Sequence, residues 1–586
     1  MHKEFDSQSP LSRVRIFYAA LGVVMAVFLI RLFYLQVIKH DYYKNSAQSG
    51  QFKEYQIPAK RGVIEAQNGD ETVPIVLNEI KYTLFADPVY VKDKESAAEK
   101  IDQFISASKQ EIIENLEKDT RYSVLAKKLD ADQKSKIEEL DIKGIGLREE
   151  SYRTYPQGEM AASLLGFVND EGEGKYGIEQ ALNDQLKGVP GELNAITDAQ
   201  GVPLVSNPEN VIKEGKDGER VILTIDMSMQ QQLEAILKDG LEKARSDSGG
   251  AFIMDVNTGA IKAMANFPTY NPGEFFNVED ARVFNNSNVS NPYEIGSVMK
   301  PLTMAAALDN GSVQPGDSFY DSGIIEVDNE KITNVEESGG AGTRTLPDIL
   351  RLSLNTGATW LLSQMGGGTI NDQARNTWHK YMVERYGYSQ QTGIEQGYEA
   401  EGIVPDPNDG YGLNIQYANT SFGQGMTATP VQVGAALASV INGGTYYQPR
   451  LVESIVSPDG TRTDKDPIIK RTGVVSPVAS DTVRENMINV INSNHRVYGF
   501  NLRPEYMVGG KTGTAQIPKP EGGYYENKYN GTFTGFVGGD SPEYVIVVRT
   551  NEPNVPGYAG SKAAGPIFSA AATMLIDNFG VLPRSN

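Results

Sequence analysis

None of the 586 residues is cysteine. That one absence excludes thiol nucleophiles, thiolate metal sites and disulfides together. It leaves compartment open, since a disulfide-free protein can work on either side of a membrane. Histidine is nearly as scarce, with His2, His40, His379 and His495 the full set of four. A His-based catalytic triad or a multi-His metal centre has little material to draw on. Positive charge is outweighed, with 54 Lys and Arg against 75 Asp and Glu and a formal net charge of −21. Nucleic-acid binders concentrate Lys and Arg against phosphates, so this balance argues against one. Fixed-period repeats, low-complexity tracts and a second apolar run of membrane-spanning length are also missing.

What is present begins with one long apolar segment. Residues 16–38, IFYAALGVVMAVFLIRLFYLQVI, are interrupted only by Arg31 and Gln36. As a helix this run rises about 35 Å, enough to cross a hydrocarbon core. Arg31 lies near the far end, where its stem can snorkel to the headgroups. Tyr34, Tyr42 and Tyr43 suit an interfacial aromatic belt. Lys3, Arg13 and Arg15 precede the run, which predicts a cytoplasmic N-terminus and export of everything after it. No A-x-A-like cleavage site is evident, so an uncleaved single-pass anchor in the plasma membrane is expected.

The length implies several structural units. The expected organisation is a cytoplasmic tail (1–15), a signal anchor (16–38), an N-terminal pedestal (39–215) and a C-terminal catalytic domain (216–586). Residues 94–140 read as solvated amphipathic helices, with Ile101, Phe104, Ile105, Ile112, Ile113 and Leu116 at helical spacing. Residues 150–205 are loop- and glycine-rich, with short strands. KEGKDGE (213–219) marks a boundary. Beyond it VILTID (221–226) predicts a strand and residues 229–245 a long helix. GGAFIMDV-NTGA-IKAMAN (249–266) and FTGFVGGDSPEYVIVVRT (533–550) predict hairpins, and 565–579 a terminal helix. The fold class is mixed α+β or α/β, with a hairpin-rich sheet flanked by helices.

Three short motifs stand in order within this last segment. Ser297-Val298-Met299-Lys300 places a hydroxyl and an amine three residues apart, on one face of a helix. Serine needs an adjacent base to act as a nucleophile, and with histidine so scarce Lys300 is the available one. Pro301 is tolerated only in a first helical turn, so the helix should begin near Ser297, where free backbone N–H groups can hold an oxyanion. Ser106–Lys109 repeats the spacing without supporting motifs. Ser353-Leu354-Asn355 supplies a second hydroxyl and an amide, though such tripeptides also serve as caps and turns. Lys511-Thr512-Gly513-Thr514, in MVGGKTGTAQI, reads as a bulged strand or as an edge strand that a peptide can extend. Its lysine offers charge to a substrate carboxylate and keeps Lys300 more easily neutral. Arg471-Thr472-Gly473 imitates this motif without its glycine-rich surroundings.

Together these motifs resemble the signature set of penicillin-binding proteins and serine β-lactamases. YLQVIKHDYY, Arg61-Gly62-Val63-Ile64, RTYPQGEMAASLLGFV, YGIEQALNDQLKGVPG, SFGQGMTATPVQ and INGGTYYQPRLV extend the resemblance, over most of residues 31–580, to class B penicillin-binding proteins. The resemblance implies an antiparallel five-stranded sheet in the catalytic domain and D,D-transpeptidase activity on peptidoglycan stem peptides ending in D-Ala-D-Ala. It implies catalytic roles for Ser297, Lys300, Ser353, Asn355 and Lys511, and substrate binding by Thr512, Gly513 and Thr514. Backbone N–H groups of Ser297 and Thr514 would form the oxyanion hole. β-Lactams would acylate Ser297. No metal or organic cofactor is implied. The implied partners are a multi-span glycan polymerase and divisome membrane proteins.

Relatives of other kinds fit less well. The β-lactamase pattern E-x-x-L-N occurs at Glu179–Asn183, but before Ser297 instead of after the Ser-x-Asn motif. No glycosyltransferase motif is recognisable before residue 215. A membrane-bound sensor would be expected to carry more spans or a larger cytoplasmic part. Around the nucleophile, Tyr293-Glu294-Ile295-Gly296 resembles the division type more than the elongation type, departing from it at Ile295 and Met299.

Overall fold

A computed structural model describes residues 10–43, 52–196, 211–335, 338–520 and 522–585. Most of the expected cytoplasmic tail, and residues 197–205 of the expected loop-rich stretch, lie outside the described residues. The chain divides into two compact units, Met1–Ala59 with Gly188–Asp217, and Lys60–Lys187 with Gly218–Asn586.

In the first unit a helix spans Pro10–Phe33 and continues as a π-turn over Tyr34–Ile38. Its Val14–Ile38 portion is long and apolar enough to cross a membrane and buries none of its apolar surface within the protein. Apolar side chains exposed all round such a helix need a nonaqueous solvent, which makes it a candidate membrane anchor. The same unit pairs Phe52–Ile57, Gly191–Ile196 and Val211–Lys213 in an antiparallel sheet.

The second unit contains two sheets that matter for the site. Strand Arg220–Asp226 runs parallel to Ile64–Asn68, with Val221 opposite Ile64. It also pairs antiparallel with Val452–Val456. Segments far apart in sequence thus share one seven-stranded sheet, and residues 60–187 fold as one body with the catalytic segment. Buried Glu179 reinforces this region, bonding Arg61 Nε and Arg153 Nε at 2.7 Å each. The E-x-x-L-N imitation is therefore a structural ion-pair centre. Helices Lys94–Ile101, Lys109–Glu117 and Ala131–Glu138 form as expected and bury Ile101, Ile112 and Leu116. The structure adds strand Ser123–Leu129 among them.

Within the catalytic segment, α1 (Met227–Ala244) is capped by Asp226, whose carboxylate accepts the Met229 N–H. Strands β1 (Ser248–Asp255) and β2 (Ile261–Phe267) form the first expected hairpin. Gly259 supplies the left-handed residue of its turn at φ +72°. Helices α2 (Lys300–Asp309), α3 (Leu346–Arg351), α4 (Asn355–Gln364), α5 (Pro430–Ile441) and α6 (Pro477–Asn494) follow. Strands β3 (Met507–Pro518), β4 (Tyr524–Gly538) and β5 (Pro542–Asn551), then helix α7 (Gly565–Asn578), complete the segment. The order β2-β1-β5-β4-β3 is antiparallel throughout, the five-stranded sheet the resemblance implied. Helix α5 is buried along its whole length, and α1 and α7 pack on the sheet through Leu233, Leu237, Ile567 and Phe568. Strand β3, carrying the Lys-Thr-Gly-Thr motif, is a free edge of this sheet.

Candidate active site

The nucleophile candidate sits in a turn held by its neighbours. Tyr293 and Ala428 exchange backbone hydrogen bonds at 3.0 and 3.1 Å, and the Gly296 N–H reaches Gly423 O at 2.9 Å. Gly296 has φ +63°, which admits the chain to a 3₁₀ turn over Gly296–Met299. Regular α-helix then begins at Lys300, with Pro301 in its first turn. The expected helix start at Ser297 is thus a tighter turn that keeps Ser297 half-buried at the cleft. Ile295 and Met299, the two departures from the division-type pattern, are fully buried, so packing governs their identity.

Lys300 is completely buried. Its Nζ lies 2.8 Å from Ser297 Oγ, 2.7 Å from Ser353 O, 3.1 Å from Ser353 Oγ and 2.9 Å from Asn355 Oδ1. Burial, and secondly the charge of Lys511, hold its ammonium well below the ordinary lysine range. A neutral amine has two protons and one lone pair. Ser353 O and Asn355 Oδ1 can only accept, so they take both protons and leave the lone pair to a hydroxyl. That arrangement suits Lys300 as proton acceptor from Ser297.

Ser353 lies in the tight turn between α3 and α4, in the left-handed region at φ +55°. This strained conformation delivers its carbonyl and hydroxyl to the same amine. Its Oγ also accepts from Lys511 Nζ at 3.0 Å, so one oxygen bridges the two lysines. Lys511 is 1% exposed, and Thr512 O and Oγ1 take its remaining protons at 3.0 and 3.2 Å. Burial brings its pKa down to about 7. Asn355 donates to Thr333 O at 3.0 Å, which orients its carbonyl oxygen at Lys300.

On the edge strand, a Cβ at Gly513 would lie 2.8 Å from Ile295 O, so glycine permits β3 to press against the nucleophile turn. Thr514 Oγ1 accepts the Gly560 N–H at 3.0 Å, leaving its own proton free to donate. A cleft of about 460 Å³ is lined by Ser297, Ser353, Asn355, Lys511, Thr512 and Thr514. All eight residues expected from sequence are thus brought to one edge of the sheet. The imitations are elsewhere: Lys109 pairs with Glu99 at 2.9 Å on the surface, and Arg471 bonds Gln390.

Sequence reasoning missed several supports. Glu294, its carboxyl pushed up by burial, accepts from Gly425 N at 3.1 Å and Tyr524 Oη at 3.0 Å, tying the nucleophile turn to the tip of the β3–β4 hairpin. Asn334 Oδ1 accepts the Thr356 N–H at the start of α4. Arg549 lies 4.2 Å from the Tyr293 ring centroid and donates to Asn291 O. Tyr293 and Glu294 stand in the motif before the nucleophile, but their partners Arg549, Gly425 and Tyr524 lie far apart in sequence, and Asn334 carries no motif.

Comparison with known proteins matches two family models. Residues 249–573 match the penicillin binding protein transpeptidase domain, and residues 56–223 the penicillin-binding protein dimerisation domain. Stage V sporulation protein D of Bacillus subtilis (strain 168) is 30% identical over 581 residues, 97% of this chain and 86% of that protein. The peptidoglycan D,D-transpeptidase FtsI homolog of Mesostigma viride is 27% identical over 568 residues, 93% of this chain and 92% of that one. Penicillin binding protein 3 of Mycobacterium tuberculosis, solved in complex with ampicillin, shares the fold at TM-score 0.68. That likeness covers 91% of this chain and 98% of the other at 23% identity. With a dimerisation domain preceding the transpeptidase domain, and matches along nearly the whole chain, the protein belongs to the class B penicillin-binding proteins and is a peptidoglycan D,D-transpeptidase.

Proposed function

We propose that the protein cross-links stem peptides through an acyl-enzyme on Ser297. The observation that carries this is the buried Lys300 amine, 2.8 Å from Ser297 Oγ and held toward its neutral form. Ser297 Oγ attacks the carbonyl of the penultimate D-Ala while Lys300 takes its proton. The amide bond to the terminal D-Ala breaks, and the leaving amine receives a proton passed through Ser353 and Lys511. Asn355 positions Lys300 and the acyl chain. Backbone N–H groups of Ser297 and Thr514 stabilise the oxyanion, and Thr512 and Thr514 hydroxyls bind the terminal carboxylate. Gly513 lets the substrate strand approach β3 closely. An amine from a neighbouring stem peptide then attacks the ester, forming the cross-link and restoring Ser297. β-Lactams acylate the same oxygen; the ampicillin complex of a protein with this fold supports that reading.

Septal synthesis is the favoured setting, supported by Tyr293-Glu294-Ile295-Gly296. A setting in sporulation has support in the name of the Bacillus subtilis relative. In either, Val14–Ile38 anchors the chain with its N-terminus in the cytoplasm and residues 216–586 outside. Residues 39–215 serve as a pedestal, and a multi-span glycan polymerase and divisome membrane proteins are the expected partners.

The test is labelling with a fluorescent penicillin. Wild type is expected to hold the label stably and Ser297→Ala to take none. Equal labelling of both would sink the assignment, and rapid release of label would favour a hydrolase. Imaging the tagged protein at mid-cell, along the lateral wall or at a forming spore separates the settings.

A further inference from the structure

The substrate of the proposed reaction ends in a carboxylate, and a chain of net charge −21 must supply it with a cation. Three cationic side chains line the cleft, namely Arg351, Lys511 and Lys562, and no Asp or Glu is among the described lining residues. Arg351 is already paired, 2.6 Å from Asp348. Lys511 is buried and spends its protons on Ser353 Oγ, Thr512 O and Thr512 Oγ1. Its pKa of about 7 means that it is often uncharged at neutral pH. The lysine that sequence reading gave to the carboxylate is thus engaged in the proton-transfer network.

Lys562 is differently placed. It is exposed and takes part in no ion pair among the described residues. It belongs to a π-turn, Gly560–Ala564, which leads into α7. Tyr558 O accepts the Ser561 and Lys562 N–H groups, at 3.2 and 2.9 Å. The turn docks on the edge strand where the Gly560 N–H meets Thr514 Oγ1. A Cβ at Gly560 would lie 2.2 Å from Gly513 O, so only glycine allows this approach. The Lys562 side chain is thereby carried two residues from the group that binds Thr514.

Resting on the acyl-enzyme reading above, we propose that Lys562 is the cation that receives the terminal carboxylate of the substrate, completing a subsite with the Thr512 and Thr514 hydroxyls. Lys562 is a specificity residue in this scheme. It transfers no proton, and it selects peptides and β-lactams that end in a free carboxylate.

The experiment compares two thioester D,D-substrates with the full-length protein, one ending in a free carboxylate and one in a carboxamide. Lys562→Gln is expected to lower kcat/KM for the carboxylate substrate about ten-fold, the scale of one lost charge-assisted hydrogen bond, mainly through KM. The carboxamide substrate should respond little, Lys562→Arg should recover most of the loss, and the wild-type preference should shrink at high salt. An equal loss on both substrates would make Lys562 structural, and no loss on the carboxylate substrate would remove it from the subsite. Endpoint penicillin labelling of Lys562→Gln reports separately on the Ser297 chemistry. Complete labelling, with Lys562→Gln keeping the wild-type preference for the carboxylate substrate, would overturn this inference and leave the acyl-enzyme reading standing.

Discussion

Lys300 faces four oxygens with at most three protons to give them, and its charge decides which contacts survive. Burial is the larger cause of its lowered pKa, and the Lys511 charge the second. In the proposed mechanism the neutral form is the base, so acylation should rise with pH as Lys300 loses its proton. In Lys511→Ala the like charge is gone and the ammonium is easier to keep. The Lys300 pKa should rise, and the ascending limb of the acylation rate against pH should move to higher pH. Penicillin acylation measured from pH 5 to pH 10 checks the direction, and an unmoved limb would mean that the amines do not sense each other.

At the scale of elements, the site depends on two turns and one edge. The left-handed Ser353 separates α3 from α4 and aims both of its oxygens at Lys300. Ser353→Ala and Ser353→Gly both remove the hydroxyl, but only glycine adopts φ +55° without strain. The glycine variant should therefore be more stable than the alanine variant by about 1 kcal/mol, with both badly impaired in acylation. Paired thermal melts test this, and equal stability would mean that the strained turn does not persist in solution. The hairpins, α1 and α7 could be read from period-2 patterns and apolar spacing. Ser123–Leu129 could not, because SVLAKKL lies between lysine- and glutamate-rich helices and only burial of Ser123, Leu125 and Leu129 distinguishes it.

The whole molecule couples N-terminal and catalytic segments through one sheet, beside the Arg61–Glu179–Arg153 cluster. Glu179 is fully buried, and its arginines are 10% and 4% exposed. Glu179→Gln would leave two buried guanidinium groups without their counter-charge. The expected cost is about 3–5 kcal/mol, read as a lower urea midpoint. Penicillin labelling of the folded fraction should stay intact, because the cluster does not line the cleft. A stability change under 1 kcal/mol would show that water reaches the arginines.

The sequence by itself determined the family and the candidate residues of the site. Serine, lysine, a second serine and an edge lysine are recognisable by spacing and order, and Pro301 fixes where a helix can begin, because these constraints are local. Absence of cysteine and scarcity of histidine narrowed the base to an amine before any contact was known. Tertiary structure decided what those residues do to one another. That Ser353 Oγ bridges two lysines, that Arg351 is neutralised by Asp348 and that Lys562 rides on Gly560 to the edge strand all depend on burial and on long-range contacts. Local sequence carries no pattern for either, because the charge of a buried amine is set by the groups folded around it.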